Sequence, residues 1–211
     1  MRKLILAAAL ATPFFASAAT NLVTNGSFET GNLSGWTVTG SASQGPGVAV
    51  QSLNAASFYG ETVNAESAAA GTKAAYFVAD LSSQTLSQSV YLAAGTYDIG
   101  FSAYAPNNGV HNAGAASFSG SIAGVSLANY SVTTGGVWND YKGTATIATA
   151  GNYNVDFTFN TYGGASKDMV IDSVYVATSV AAVPEPETYA MLLAGLGLIG
   201  AAVKRRKAKQ A

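Results

Sequence analysis

The sequence predicts an all-β domain built as an antiparallel sandwich or barrel, with a separate segment at each end of the chain. In the interior, apolar residues recur with a period of two, which is typical of half-buried strands. Turn residues, chiefly Gly, Asn, Ser and Thr, separate these runs, and no interior stretch has a helical period. Many short strands with such spacing indicate an antiparallel sandwich or barrel. The two ends differ, because each contains an uncharged apolar run beside basic residues.

The N-terminal end has the composition of a secretory signal peptide. The basic pair Arg2-Lys3 precedes an apolar run that begins at Leu4, and the small residues Ala16-Ser17-Ala18 follow as a cleavage site. We therefore expect signal peptidase to remove residues 1–18. A short buried core helix is the alternative, and it is disfavoured because Pro13 interrupts the run and a basic pair precedes it.

The C-terminal end combines a polar motif, an apolar run and a basic cluster. Residues 180–187 form a predicted linker that contains Pro184-Glu185-Pro186. Residues 188–203 would reach about 24 Å as a helix at roughly 1.5 Å per residue, somewhat short of the roughly 30 Å hydrocarbon core. We predict a transmembrane helix that spans with bilayer thinning, and a GxxxG-type dimer seam is the alternative. The tail 204–211 is expected to stay in the cytoplasm, with Lys204, Arg205, Arg206 and Lys207 as the basic stop.

The order of these three parts resembles the PEP-CTERM sorting signal of exported proteins of Gram-negative bacteria. The resemblance implies that an exosortase, a membrane cysteine protease, cuts near Pro184-Glu185-Pro186, at residues 183–187, and discards the tail. The protein would then be an inner-membrane intermediate before it reaches the cell surface or the extracellular space. Signal peptidase and exosortase are its expected processing partners.

The charge distribution makes the mature domain acidic. The formal charge of −1 combines +2 before residue 20, −6 between residues 20 and 183, and +3 after that. Lys73, Lys142 and Lys167 are the only cations of the middle part, against nine carboxylates, so nucleic acid is excluded as a partner because little would neutralise its phosphates. The chain has no cysteine and thus no disulfides, and about 160 residues suffice to bury one core without them.

Two segments show the two-residue period most regularly. Tyr97, Ile99 and Phe101 alternate with polar residues or glycine, and so do the apolar positions from Tyr153 to Phe159. Each segment follows an Ala-Gly pair, and we predict a hairpin turn at each glycine. Further strands are predicted at Trp36 to Thr39, Val48 to Leu53, Lys73 to Ala79, Leu86 to Leu92, Ala116 to Ile122, Tyr141 to Ile147 and Met169 to Val176.

An ordered set of short motifs runs through the interior of the chain. The motifs are Asn25-Gly26-Ser27-Phe28-Glu29 followed by Gly35-Trp36, Leu86-Ser87-Gln88-Ser89-Val90 with Ala94-Gly95-Thr96-Tyr97, Trp138 with Tyr141, and Ile171-Asp172-Ser173-Val174. The set resembles the galactose-binding-like jelly roll of carbohydrate-binding modules. It implies that residues 19–179 form an antiparallel two-sheet jelly-roll β-sandwich, with a glycan, such as an exopolysaccharide of the same cell, as the partner. The fold alone does not define a ligand, because this jelly roll serves many functions.

Asp172 is predicted to be a buried carboxylate. It shares strand parity with Val170 and Val174 in a run that is apolar on both faces. A buried lone carboxylate is costly, so it must be protonated, paired with a cation or bound to a metal. The jelly-roll resemblance implies a structural calcium held by Glu29 and Asp172, since calcium prefers carboxylate and carbonyl oxygens. A hydrogen-bonded or solvated carboxylate pair and a salt bridge to Lys167 remain alternatives.

A sugar-binding site needs an aromatic platform and polar groups that contact the hydroxyls of the sugar. Trp36 and Trp138 are expected to be structural, because they fall at core or strand-edge positions of the jelly-roll pattern. Two tyrosines fall on the polar side of their strands, and each begins a loop. We predict one shallow site between them, and capping of the strand ends is the alternative. The predicted ligand-binding residues are Tyr104, Tyr162, Asn107, Asn108 and Asn160.

Catalytic groups are scarce in this sequence. His111 is the only histidine, and no acidic residue is near it in sequence. Glu61 and Glu66 would have to form the carboxylate pair of a glycoside hydrolase, but they lie in an Ala- and Ser-rich predicted loop. We therefore predict an exported, sorted surface or matrix protein that binds carbohydrate and is not an enzyme. A non-binding structural or adhesive biofilm matrix protein is the alternative, and a glycoside-active enzyme is the third and least favoured.

Overall fold

The computed structural model describes residues 19–40, 47–55, 62–66, 70–77, 83–107, 114–162, 168–179 and 191–199. One compact unit extends from Ala19 to Ser179 and contains all the described strands and their hydrophobic core. A helix covers residues 191–199. None of the described helices combines the length and the hydropathy that a membrane crossing requires. The Pro184-Glu185-Pro186 motif and both ends of the predicted transmembrane segment 188–203 lie outside the described residues.

Ten described strands form two antiparallel five-stranded sheets, which confirms the predicted all-β jelly-roll sandwich. Sheet A has the strand order β1-β4-β9-β6-β7, and sheet B has the order β2-β3-β10-β5-β8. One of these strands, β7, was not predicted from the sequence. The strands are β1 Thr37–Gly40, β2 Val48–Ser52, β3 Lys73–Phe77, β4 Gln84–Leu92, β5 Gly95–Tyr104, β6 Ser117–Ile122, β7 Val125–Ser131, β8 Trp138–Ile147, β9 Gly151–Asn160 and β10 Met169–Thr178.

The two sheets enclose one aromatic core. The rings of Phe101 in sheet B and Phe157 in sheet A lie 4.8 Å apart, edge to face, a favourable aromatic geometry. Gly120 permits this approach, because a Cβ at that position would lie 2.6 Å from the Phe101 ring. Trp36 is 8% exposed and packs on Phe28 and Phe157, so it belongs to this core.

The two predicted hairpins are wrong, because each glycine lies at a connection between the two sheets. β4 belongs to sheet A and β5 to sheet B, and β8 and β9 are divided in the same way. β4 pairs with β9 and β5 pairs with β8, so the two connections lie side by side. Their shared sequence pattern has a shared role: Tyr97 donates a hydrogen bond to the carbonyl of Ala93, and Tyr153 donates one to that of Thr149.

β10 changes its neighbour at Asp172. It pairs with β3 as far as Ile171, and a register irregularity follows, with Ser173 at a φ of 53°. Beyond this bulge the N-terminal segment replaces β3 as the neighbour of β10, because the Val174 amide donates a hydrogen bond to the Gly26 carbonyl at 2.9 Å. A Cβ on Gly26 would lie 2.1 Å from the Val174 carbonyl oxygen, so only glycine fits there.

The same bulge overturns the parity predicted between Asp172 and Val174, whereas the parity predicted between Asp172 and Val170 is correct. Val174 points into the core between the sheets. Val170 belongs to a second hydrophobic cluster, together with Tyr104 and other side chains on the outer side of sheet B. Asp172 lies on that outer side, in register with Ser102. The extra residue of a bulge reverses the faces of all side chains beyond it, which explains the error.

Candidate functional site

Tyr104 is a buried residue, and the predicted exposed ring is wrong. It is 5% exposed, and its ring centroid lies 5.3 Å from that of Trp138. The Trp138 indole donates a 2.7 Å hydrogen bond to the carbonyl of Asn64. Leu53 and Val63 belong to the same cluster. Sequence parity placed Tyr104 on the outer side of its strand correctly, but distant segments of the chain cover that side.

Tyr162 is exposed, and it lies at the end of the other sheet. Its side chain is 66% exposed, and its hydroxyl is 3.0 Å from the Ser117 hydroxyl. Its backbone amide donates to the Asn160 side-chain oxygen at 3.1 Å. The structure therefore brings Tyr162 and Asn160 together at one end of sheet A, whereas Tyr104 lies in sheet B. Asn107 is exposed, and Asn108 lies outside the described residues.

The outer side of sheet A is an almost continuous array of small polar side chains, which we call the polar face. In β4, β6 and β9 alternate residues point outward, while most of their neighbours are buried in the core. Apart from Tyr91 and Asp156, its members are all Ser, Thr or Asn. The polar face consists of Thr37, Thr39, Thr85, Ser87, Ser89, Tyr91, Ser117, Ser119, Ser121, Ser126, Asn129, Ser131, Asn152, Asn154, Asp156, Thr158 and Asn160.

The register aligns these side chains into rows across the strands. Ser87, Asp156 and Ser121 form one row, over β4, β9 and β6. In the adjacent row the hydroxyls of Thr85 and Thr158 are 2.8 Å apart. Burial among its neighbours raises the pKa of Asp156, and a hydrogen bond with the Asn154 side chain opposes that shift. The face thus offers hydroxyl and amide groups that can both donate and accept hydrogen bonds.

Tyr91 is the exposed aromatic residue of the polar face, and it was not among the predicted ligand-binding residues. Its side chain is 66% exposed, and it lies opposite Asn152 in the register. The alternation of apolar and polar residues from Leu86 to Leu92 could have indicated that Tyr91 points outward, because Tyr91 occupies one of the polar positions of that alternation. Tyr91 and Tyr162 lie at opposite ends of the face, since β9 runs roughly 26 Å from Asn152 to its end at about 3.3 Å per residue.

Asp172 has the environment of a buried acid with one unused oxygen. Its side chain is fully buried, and one carboxylate oxygen accepts a 2.6 Å hydrogen bond from the Ser173 amide. The second oxygen has no hydrogen-bond partner among the described residues. Burial raises the pKa of Asp172 to about 8, and the nearby Glu66 and Glu29 charges add to the shift. Lys167, the alternative partner, lies outside the described residues.

Glu29 is an exposed carboxylate that is held in place by hydrogen bonds. It accepts bonds from the backbone amides of Thr72 and Lys73 at 2.8 and 2.7 Å, and from the Thr72 hydroxyl at 3.1 Å. Burial acts to raise its pKa, but these bonds outweigh it and lower the pKa. The described residues contain no group of three or more His, Cys, Asp or Glu side chains suited to a metal ion. Further ligands would have to be backbone carbonyls, which calcium accepts.

Glu66 and Asp140 form a third acidic feature, on the outer side of sheet B. The Ser102 hydroxyl lies 3.1 Å from Glu66 and 2.8 Å from Asp140, and Lys142 pairs with Asp140 at 2.7 Å. The Lys142 bond holds the pKa of Asp140 at about 2, whereas burial raises that of Glu66. The Ser102 hydroxyl therefore lies within hydrogen-bond distance of both carboxyl groups. Glu61 and His111 lie outside the described residues.

Comparison with known families identifies the C-terminal signal. Residues 182–207 match the PEP-CTERM protein-sorting motif. This match contains the predicted Pro184-Glu185-Pro186 motif and the basic stop, so the chain is an exported protein that is sorted through the membrane and processed by an exosortase. No curated protein matches this chain.

Solved structures show the fold of the unit from Ala19 to Ser179. The carbohydrate-binding module TmCBM61, solved in complex with β-1,4-galactotriose, matches with a TM-score of 0.51 and 23% identity, over 76% of this chain and 100% of its own. The enzymatically active domain of tailspike protein 4 from bacteriophage CBA120 matches with a TM-score of 0.53 and 16% identity, over 75% of this chain and 21% of its own. The unit therefore has the jelly-roll fold seen in carbohydrate-binding modules.

Proposed function

We propose that this protein is an exported carbohydrate-binding protein and that the polar face of sheet A is its glycan-binding surface. The sorting motif and the jelly-roll fold support this class of function. The observation that favours the polar face is its composition: two exposed tyrosines, Tyr91 and Tyr162, at the ends of a sheet surface of Ser, Thr and Asn side chains.

The chemistry of this face suits a polysaccharide. The apolar face of a sugar ring stacks on an exposed aromatic side chain, and hydroxyls and amides contact its hydroxyl groups. The face is long and open, so it fits an extended chain better than a single small sugar. The exposed fraction of Tyr91 and Tyr162, 66% each, leaves both rings accessible for stacking.

Binding of the unit Ala19–Ser179 to β-1,4-galactan is the first test, because TmCBM61 was solved with β-1,4-galactotriose. A panel of other polysaccharides follows. We expect saturable binding that Tyr91→Ala weakens roughly 5- to 150-fold, equivalent to about 1 to 3 kcal/mol. Tyr175→Ala, which removes a tyrosine from the outer side of sheet B, should leave affinity unchanged. A folded unit that binds no polysaccharide would instead favour the non-binding matrix protein.

Calcium at Glu29 and Asp172 is the second part of the proposal. The unused, fully buried oxygen of Asp172 supports it, because a cation would supply the missing partner of that oxygen. The charge of Glu29, like that of Glu66, also acts to raise the pKa of Asp172, and a bound cation would relieve this repulsion. Two carboxylates and backbone carbonyls are the hard oxygen ligands that calcium prefers. Bound there, the ion would fix the N-terminal segment to β10 and would play no part in catalysis.

The proposed destination is the cell surface or the extracellular space. In this proposal the apolar run and the basic stop would hold the exported chain at the inner membrane, and removal of the tail would release the sandwich from it. An exopolysaccharide of the same cell is the proposed partner there. A released domain that binds such a polymer would remain attached to the cell without a membrane anchor.

A further inference from the structure

The polar face carries almost no charge, and this limits the class of glycan that it can bind. Asp156 is its one carboxylate among the described residues. The structure describes two lysines in the unit Ala19–Ser179, Lys73 in β3 and Lys142 in β8, and both belong to sheet B. Lys142 is also paired with Asp140 at 2.7 Å. Recognition of a sugar carboxylate or sulfate relies on cations, and the described part of this face has none.

Asp156 occupies the centre of the face. It lies on β9, the middle strand of sheet A, and Ser87 and Ser121 flank it in the register. An ionised carboxylate only accepts hydrogen bonds, so it can bind the hydroxyl groups of an uncharged sugar. A sugar carboxylate at the same place would be repelled by the like charge. The formal charge of −6 between residues 20 and 183 adds a longer-range repulsion of polyanions.

We infer that the polar face binds a neutral polysaccharide and that Asp156 determines this preference, an inference that rests on the proposed function. The Ser, Thr and Asn side chains around Asp156 match the hydroxyl groups of such a polymer, because each can donate and accept. Asp156 accepts hydrogen bonds from the hydroxyl groups of a neutral sugar. It repels sugars that carry a carboxylate or a sulfate.

Retention on immobilised polysaccharides tests this inference. Two neutral polymers, β-glucan and galactomannan, are compared with two anionic ones, alginate and polygalacturonate, at low and moderate salt. We expect the unit Ala19–Ser179 to be retained by at least one neutral polymer and by neither anionic polymer. Asp156→Asn should lower affinity for the neutral polymer by roughly fivefold or more. Asp98→Asn, the same change at an exposed carboxylate of sheet B, should leave it unchanged.

Ser87→Lys provides a second variant that does not remove Asp156. It places a cation in the same row, so it should weaken retention on the neutral polymer and add salt-sensitive retention on alginate. Retention of the unmodified unit by anionic polymers alone would overturn the neutral class while carbohydrate binding stands. Neutral retention that neither Asp156→Asn nor Ser87→Lys changes would overturn the role of Asp156. No retention by any polymer, β-1,4-galactan included, would overturn the proposed function and this inference with it.

Discussion

Asp172 and Ser102 lie directly opposite each other across β10 and β5, but they have different hydrogen-bond partners. The Ser102 hydroxyl is close to Glu66 and Asp140, whereas Asp172 binds the Ser173 amide through one oxygen and has no described partner at the other. Three carboxyl groups therefore approach one strand of sheet B. Only that of Asp172 is both fully buried and incompletely paired.

The stability of the metal-free unit is expected to fall as the pH rises from about 4 to about 8. The pKa of Asp172 is about 8 in the folded state and about 3.9 in an unfolded chain, so the folded state binds the additional proton in this interval. Asp172→Asn should remove this pH dependence, and Asp98→Asn should retain it. Thermal unfolding with a chelator at pH 5 and pH 8 measures the effect. If the stability of the unmodified unit and that of Asp172→Asn depended on pH in the same way, Asp172 would not be the cause of the pH dependence.

Calcium is expected to raise the melting temperature of the unit, and more at pH 8 than at pH 5. The ion must displace the proton of Asp172, so its apparent affinity increases with pH. At calcium concentrations near 100 times Kd, the gain in unfolding free energy is about 2.7 kcal/mol. Both Glu29→Gln and Asp172→Asn should abolish the gain, while Asp98→Asn keeps it. Calorimetry with calcium, magnesium or a chelator makes the measurement, and an unchanged melting temperature would exclude the site.

Tyr104→Ala is expected to destabilise the unit and to leave glycan affinity unchanged. Truncating a buried aromatic side chain costs roughly 3 to 5 kcal/mol through lost burial and a cavity. Tyr91→Ala should show the opposite pattern, with little loss of stability and weaker binding, because Tyr91 is exposed on the polar face. Urea unfolding and binding to β-1,4-galactan distinguish the two. If the Tyr104→Ala protein were stable but did not bind glycan, the ligand-binding role of Tyr104 predicted from the sequence would be supported instead.

Replacement of Pro184, Glu185 and Pro186 by alanine is expected to block removal of the C-terminal tail. The motif lies within the match to the PEP-CTERM sorting motif, and exosortase cleavage is expected beside it. In a host that contains the exosortase, the variant should remain in the membrane with the mass of the uncut chain. Lys209→Ala, outside the matched residues, should be processed normally. Identical masses for the variant and the unmodified protein would contradict this assignment.

The strand pattern of this protein could be predicted because it is local. The alternation around Phe157 follows from burial of every second residue, and the structure shows that alternation in β9. β7 was missed because Val125, Leu127 and Tyr130 do not keep one parity, and its pairing with β6 contains a register irregularity after Gly120.

The candidate site was harder to predict because it depends on contacts between distant parts of the chain. The burial of Tyr104 results from Leu53 and Val63, which no local pattern near Tyr104 reveals. Val174 lies on the opposite face from Asp172 because a bulge separates them, and the left-handed conformation of Ser173 has no sequence signal. A turn that contains glycine occurs both in a hairpin and in a connection between two sheets. Only the pairing of the flanking strands distinguishes these two possibilities.

The central position of β10 links the timing of folding to sorting. β10 lies between β3 and β5, so a chain without it has sheet B in two separate pieces, β2-β3 and β5-β8. β10 ends at Thr178, and the matched sorting motif begins at residue 182. A chain that crosses the membrane amino end first can therefore complete its sandwich only when the sorting signal is already arriving at the bilayer. The order of the strands thus delays completion of sheet B until nearly all of the unit Ala19–Ser179 is available to fold.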